Sequence, residues 1–414
     1  MRFLHINTKD IAGGAARATY RLHQALVAAG HESRILCAVK QLPSDDSSSL
    51  FRGRYGWLVN CLMGKISMDM GLGWAAYPSH QAVRSSHWIH EWADVIVLAN
   101  LHGWFFPLDL LPKITAHIPT IWRLHDMWAG TGFCTYAYDC ERQQTGCGKC
   151  PHRAEYPSMT IDWTARMWHR KQSIYANLDP RTTLSTPSVW LRDVMQASPL
   201  TQHIACEAFP NGIPLQTFRP SDRPAARNTY GFSEKDRVIM FSYASKDDAF
   251  RKGDDMLVPV LEGLPPQISK DTVLLLVGDQ PKRAAHLPVR SLATGYLDSE
   301  EILVGCYNAA DVFLNLSRAD NLPNCLVEAA ACGLPAVTIN SGGCGETVLN
   351  GKSGFATDTV SATSDALCYI LSNPVVRNGF AKEARDFACQ HFSDTGYAHH
   401  IANLATDLTS ESRH

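Results

Sequence analysis

Residues 310–348 read ADVFLNLSRADNLPNCLVEAAACGLPAVTINSGGCGETV. The apolar run that closes at Ser317 has the composition of a strand, and Arg318 to Pro323 form a loop. A helix is expected from near Asn324 to Gly333, and Pro335 opens another strand. Strand, helix and strand in this order form a crossover unit of a parallel sheet. In open sheets of this kind ligands lie beyond the carboxyl ends of the strands. The helix N-terminus there suits a diphosphate. Gly342, Gly343 and Gly345 follow the next strand and are expected to let the backbone approach a second part of the same ligand. Asp320 precedes the helix and Glu328 lies about one turn inside it, so both carboxylates face one crevice. Carboxylates accept hydrogen bonds from sugar and ribose hydroxyls. Two acids at this spacing also fit an ordinary surface helix. The strand ends and glycines around them favour the functional reading.

The same alternation extends in both directions. Toward the N-terminus of this half lie VIMFSYA (238–244) and TVLLLVG (272–278), apolar runs that fit a sheet covered on both faces. An earlier series holds RFLHIN (2–7), SRILCAV (33–39), DVIVLAN (94–100) and TIWRLHD (120–126). A helix is expected over 15–29, stopped by Gly30. FPNGIP (209–214) has linker composition. The chain therefore reads as two doubly wound α/β domains, 1–208 and 209–390, with the segment 391–414 returning to complete the first. SDDSSS (44–49) reads as a surface loop.

Bulk composition agrees with an enzyme of this architecture. The chain has 414 residues, enough for two cores, with 45% hydrophobic and 19% charged residues. A formal net charge of −2 offers no electrostatic case for a nucleic-acid partner. The start, MRFLHINTKD, lacks a signal-peptide apolar core, and no window is apolar enough to span a bilayer. A cytoplasmic location is expected, including the inner face of the membrane. Residues 50–80 fit the scheme least. They hold Trp57, Leu58, Leu62, Met63, Ile66, Met68 and Trp74. This segment reads either as an inserted helix packed on its own domain or as an amphipathic helix on a membrane surface, and the few basic residues favour the first.

The 310–348 stretch resembles glycosyltransferase family 4, retaining enzymes of the GT-B fold. The family carries two glutamates with seven residues between them, then an A-C-G-x-P turn and a glycine-rich loop with a glutamate. Here the pair is Asp320 and Glu328, the turn is Ala331 to Pro335, and the loop runs Gly342 to Glu346. The resemblance implies that Glu328 binds the nucleotide ribose, that Asp320 sits by the donor sugar, and that Asn321, Leu322, Pro323 and Asn324 meet sugar or phosphate. Aspartate is one methylene shorter than the family's glutamate, so donor specificity is expected to depart there. RKGDDML (251–257) resembles the family's K-G-x-D segment. Lys252 would then stabilise the departing phosphate. The family's arginine position five residues earlier is Asp247 here, with Lys246 and Arg251 as nearby cations, of which Arg251 is favoured. Around TGYLDSEEI, the backbone of Gly295, Tyr296 and Leu297 would face the base.

By the same resemblance, Gly13 and Gly14 after the first strand face diphosphate and acceptor across a cleft between the two domains. Arg17 in the following helix is a further candidate contact. His125, at the end of TIWRLHD, lies near the donor sugar, with Asp126 orienting its ring or forming a structural pair with it. Directly after come Cys134, Cys140, Cys147 and Cys150 in FCTYAYDCERQQTGCGKCP, four of 13 cysteines. Four thiols so closely spaced can surround one metal, structural zinc before an iron–sulfur cluster, or remain free. The run from His125 through Cys150 resembles a branch of the family that builds bacterial exopolysaccharide of the colanic-acid type.

The activity implied is transfer of a sugar from a nucleoside diphosphate to an acceptor hydroxyl with retention, without a catalytic metal. The acceptor would be a glycan or lipid-linked glycan. A nucleotide-sugar 2-epimerase and a non-catalytic binding module are the alternatives.

Overall fold

The two strands that frame the quoted stretch, VFLN and AVTI, are apolar throughout because both faces of their sheet are covered. In the computed structural model the described residues are 1–51, 53–72, 79, 83, 88–102, 105–242, 249–278, 287–297 and 299–410. The chain forms two compact units, Met1–Gly212 with Asp394–His414, and Ile213–Ser393.

The first unit is built on seven strands: β1 (Arg2–Lys9), β2 (Glu32–Val39), β3 (Ser47–Ser49), β4 (Val95–Leu98), β5 (Thr120–Arg123), β6 (Thr182–Thr186) and β7 (Cys206–Ala208). Their order is β3-β2-β1-β4-β5-β6-β7, with every pair parallel. Alternation along β1 serves two cores. Leu4 and Ile6 join one cluster with Ile96, Leu98 and Trp122. Phe3 faces Leu22, Leu26 and, from the C-terminal helix Asp394–Ser410, Ile401 and Ala405. SDDSSS is only partly a loop. Ser47–Ser49 is an edge strand beside β2, and the buried Asp10 carboxylate accepts from Ser47 Oγ at 3.0 Å. Its composition conceals this because its partners are backbone groups and one distant acid.

The second unit has six strands: β8 (Arg237–Ser242), β9 (Thr272–Val277), β10 (Arg290–Ala293), β11 (Val312–Asn315), β12 (Ala336–Ile339) and β13 (Gly354–Thr357). Their order is β10-β9-β8-β11-β12-β13, again all parallel. Val238 and Met240 point into one core and Ile239 and Phe241 into the other. In each unit the order reverses between the first strand of the unit and its fourth, β1 beside β4 and β8 beside β11. Such a switch point leaves a crevice at the carboxyl ends of the two strands.

Helix Gly53–Asp69 occupies the segment that fitted poorly. Asn60, Gly64, Ser67 and Met68 are buried on one side, with Trp57 partly so. Leu58, Leu62, Met63 and Ile66 are exposed on the other. Trp74, Lys246 and Asp247 lie outside the described residues.

Candidate active site

At the switch point of the second unit, the segment after β8 and the segment after β11 converge. Asp320 Oδ2 accepts from Lys252 Nζ and, at 3.2 Å, from Arg251 Nη1. Arg251 Nη1 also donates to the Ala319 carbonyl at 3.1 Å. Asp320 Oδ1 accepts from its neighbour's amide, Asn321 N, at 3.0 Å. Burial alone would raise the Asp320 carboxyl, but Lys252 and then Arg251 outweigh it and hold the group below the usual carboxylate range. The structure thus brings three predicted residues together in one arrangement the spacing did not reveal. The acid expected at the sugar is the anchor of both cations expected at the phosphate.

Two glycines make this convergence sterically feasible. Gly253 has φ +67°, and a Cβ there would stand 1.9 Å from the Leu316 carbonyl oxygen. The chain can then return close to β11, where Arg318 N donates to Arg251 O at 2.7 Å. Gly342 has φ +57°, and a Cβ would stand 2.0 Å from the Asp320 carbonyl oxygen. Gly343 N donates to that same oxygen at 3.1 Å. The close approach expected of this glycine loop is therefore made to the Asp320 backbone. Only glycine fits where φ is positive and a carbonyl occupies the Cβ position.

Helix Asn324–Ala331 starts immediately after, with Pro323 at its N-cap and no side-chain cap. Leu322 is buried in the core below it, while Asn321 is buried and polar. Glu328 is buried one turn inside, and its Oε2 accepts from Tyr307 Oη at 3.0 Å. Burial and then Glu328 raise the Tyr307 phenol well above its ordinary value, so it serves as a donor. At the end of β10, Gly295 (φ +72°) accepts from Gly278 N at 2.9 Å, Tyr296 is exposed and Leu297 packs against the core.

The first unit carries a different set. Gly13 (φ +98°) and Gly14 are exposed at the start of helix Gly14–Ala28, with half-buried Arg17 one turn in. Asp126 does not pair with His125. Its Oδ2 meets His102 Nε2 at 2.8 Å, and its Oδ1 accepts from Trp128 N at 2.9 Å. His102 Nδ1 lies 3.3 Å from Tyr156 Oη. Adjacent residues leave a strand end in opposite directions, so Asp126 reaches across to the segment after β4. The pairing was not read from the sequence. A histidine four residues beyond a strand end, as His102 is beyond Leu98, was the available signal; Tyr156 had none. His125 Nε2 has no hydrogen-bond partner among the described residues. Burial, then Arg123, push its imidazole down to about 3, so it is neutral at physiological pH.

All four clustered cysteines are free thiols. Among the described residues no group of three or more His, Cys, Asp or Glu side chains stands where it could hold a metal ion. The expected structural zinc is therefore not supported. Other contacts order this loop. Thr131 Oγ1 donates to Cys134 O at 2.6 Å, Gly132 N to Cys147 Sγ at 3.3 Å and Cys150 N to Asp162 Oδ2 at 2.7 Å. Buried Lys171 donates to Thr131 O at 3.0 Å and lies 3.5 Å from the centre of the Trp128 ring. Burial raises the Cys134 thiol to about 12 and Cys147 to about 11.

Residues 240–373 match the family model described as glycosyl transferases group 1. The chain carries a group 1 glycosyltransferase domain on a GT-B fold. It is 28% identical over 234 residues to the putative colanic acid biosynthesis glycosyl transferase WcaC of Escherichia coli (strain K12), covering 55% of this chain and 54% of that protein. It is 32% identical over 197 residues to the GDP-mannose-dependent alpha-(1-6)-phosphatidylinositol monomannoside mannosyltransferase of Mycolicibacterium smegmatis, covering 43% and 50%. The chain thus spans about half the length of these curated relatives. Among solved structures, sucrose-phosphate synthase from Thermosynechococcus elongatus superposes with a TM-score of 0.72 at 18% identity, covering 99% of each chain.

Proposed function

We propose that the protein is a retaining glycosyltransferase that moves a sugar from a nucleoside diphosphate to an acceptor hydroxyl. The observation that carries this reading is the Lys252–Asp320–Arg251 cluster at the β8/β11 switch point, inside the group 1 domain. A diphosphate leaving group gains negative charge as the glycosidic bond breaks. Two fixed cations at a strand end stabilise that charge without reorganising. Asp320 acts on them as a positioning group and holds both near one point. Glu328, held by Tyr307, is assigned the ribose hydroxyls. The backbone at Gly295, Tyr296 and Leu297 is assigned the base, and Asn321 to Asn324 the sugar and phosphate. Gly13, Gly14 and neutral His125 are assigned to the diphosphate, acceptor and sugar.

Retention commonly proceeds through a carboxylate nucleophile. Asp320 is a poor one because its lone pairs are engaged by two cations and an amide. We therefore favour attack from the leaving-group face. The acceptor oxygen bonds to the anomeric carbon as the carbon–phosphate oxygen bond breaks, and the departing phosphate takes the acceptor proton. No metal has a role in that scheme.

The named relatives act on a phosphatidylinositol mannoside and in colanic acid biosynthesis. These support a glycan or lipid-linked glycan acceptor in polysaccharide assembly. They give no support to the 2-epimerase alternative. A thermal-shift screen against UDP-, GDP- and ADP-sugars tests the donor assignment. One class should raise the melting temperature, since a ligand selective for the native state stabilises it by mass action. No shift with any of the three at saturating concentration counts against the reading.

A further inference from the structure

Arg251 and Lys252 are the two central residues of a tight turn, closed where Gly253 N donates to Phe250 O at 3.0 Å. One residue from outside the turn holds it from several sides. Arg318, just beyond β11, donates its backbone N to Arg251 O at 2.7 Å and its Nη1 to Phe250 O at 2.9 Å. The same guanidinium forks onto Asp255, Nη1 to Oδ1 at 2.5 Å and Nη2 to Oδ2 at 2.6 Å. Its Cζ lies 4.4 Å from the centre of the exposed Phe250 ring. Arg318 therefore binds residues before, within and after the pair of cations. Asp320, two residues further along, holds the charged ends of that pair. The chain beyond β11 grips the turn twice, by its backbone and by its tips.

Asp255 is exposed and Arg318 half-buried. An ion pair so placed contributes little to overall stability. Its bidentate geometry, however, fixes orientation as well as distance. Lysine carries its charge on a flexible stem, so the place of that charge depends on where its backbone is fixed. A cation that stabilises a departing phosphate has to be in place before the charge develops. We propose that Arg318 is a positioning residue for phosphate binding and departure. Through Asp255 and the Phe250 and Arg251 carbonyls it fixes the turn that presents Lys252 and Arg251. In this role it acts through the turn and not on the donor. The inference rests on the phosphate assignment of the Lys252 cluster, and its test separates the two.

The test is isothermal titration of the full chain with inorganic pyrophosphate, which needs no nucleotide and no acceptor. Lys252→Ala should weaken binding about tenfold and so mark the site. Arg318→Ala and Asp255→Asn should each weaken it about fivefold, and the double variant little further, because the two residues act as one unit. Asp255→Asn gives the decisive sign. Removing a negative charge beside two cations would tighten anion binding if charge alone acted, whereas a released turn weakens it. Asp255→Glu keeps the carboxylate and should stay within about twofold of the wild type. The unfolding midpoint of these Arg318 and Asp255 variants should not move, as expected for an exposed pair. Unchanged or tighter binding by Asp255→Asn, or a loss by Asp255→Glu as large as its own, overturns the proposal while Lys252→Ala still marks a phosphate site. A wild type that ignores pyrophosphate, or a Lys252→Ala variant that binds it as the wild type does, removes the phosphate assignment and the proposal with it.

Discussion

The two ends of β11 each carry a buried aspartate beside cations, and they are built for different purposes. At the amino end, Asp311 meets Arg223 at 2.6 Å, Arg377 at 2.8 Å and Arg227 at 3.3 Å, and also accepts from Val238 N at 2.8 Å. These partners come from helices Arg223–Thr229 and Pro374–His391 and from β8, so the cluster ties four elements together. At the carboxyl end, Asp320 meets Lys252 and Arg251, both from one loop. That loop is held by glycine packing and follows a strand end, where ligands bind. Similar charges therefore serve cohesion at one end and, in the function proposed above, a phosphate at the other. What separates the two is their position along the strand.

The comparison can be broken by substitution. Asp311→Asn should cost about 3–5 kcal/mol of stability, because it strands partly buried guanidinium groups. Turnover of the protein that stays folded should not change. Denaturant titration followed by circular dichroism measures the first, and an initial-rate assay the second. Lys252→Ala should do the reverse. Turnover should fall on the order of a hundredfold, about 2.7 kcal/mol of transition-state stabilisation, with the unfolding midpoint little moved. Near-wild-type turnover would remove Lys252 from its assigned role.

A smaller effect distinguishes the two units. Burial pushes His5 down to about 3, as it does His125, and both lie in the first unit. In the unfolded chain each titrates near about 6.5. Between those values only the unfolded chain takes up the proton. Stability is then fully present above about pH 6.5 and declines as pH falls toward 3, by up to about 1.4 kcal/mol per pH unit for each histidine. Asp320 behaves otherwise. Its lowered value keeps it ionised until below the usual carboxylate range, so the cation cluster persists over that window. All ten tryptophans lie before Gly212, so tryptophan fluorescence reports the first unit alone. Its unfolding midpoint should fall between pH 6.5 and 4 more steeply than that of the second unit followed by another probe. Equal slopes would refute the assignment of acid lability to the first unit.

The alternation of apolar strands and helices was legible because it is a local pattern with a fixed period. So were the positions of Asp320 and His125 after strands, while Lys252 was marked only by its resemblance to a K-G-x-D segment. Partners were not. The sequence separates Lys252 from Asp320 by 68 positions, and only the order β8 beside β11 joins them. Asp126 was expected beside His125, but the neighbouring strand end supplies His102. The four cysteines suggested a metal from spacing alone, whereas ligation requires sulfur atoms directed to one point.

By itself, then, the sequence determined the two parallel sheets, the glycine loop at Gly342, and the charged residues Lys252, Asp320 and Glu328 as site candidates. Tertiary structure decided which charges share one carboxylate, which histidine is oriented, and which side of helix Gly53–Asp69 meets solvent. The reason is physical. Periodicity and glycine content follow from backbone geometry along the chain, while ion pairs and burial depend on contacts between segments that only strand order brings together.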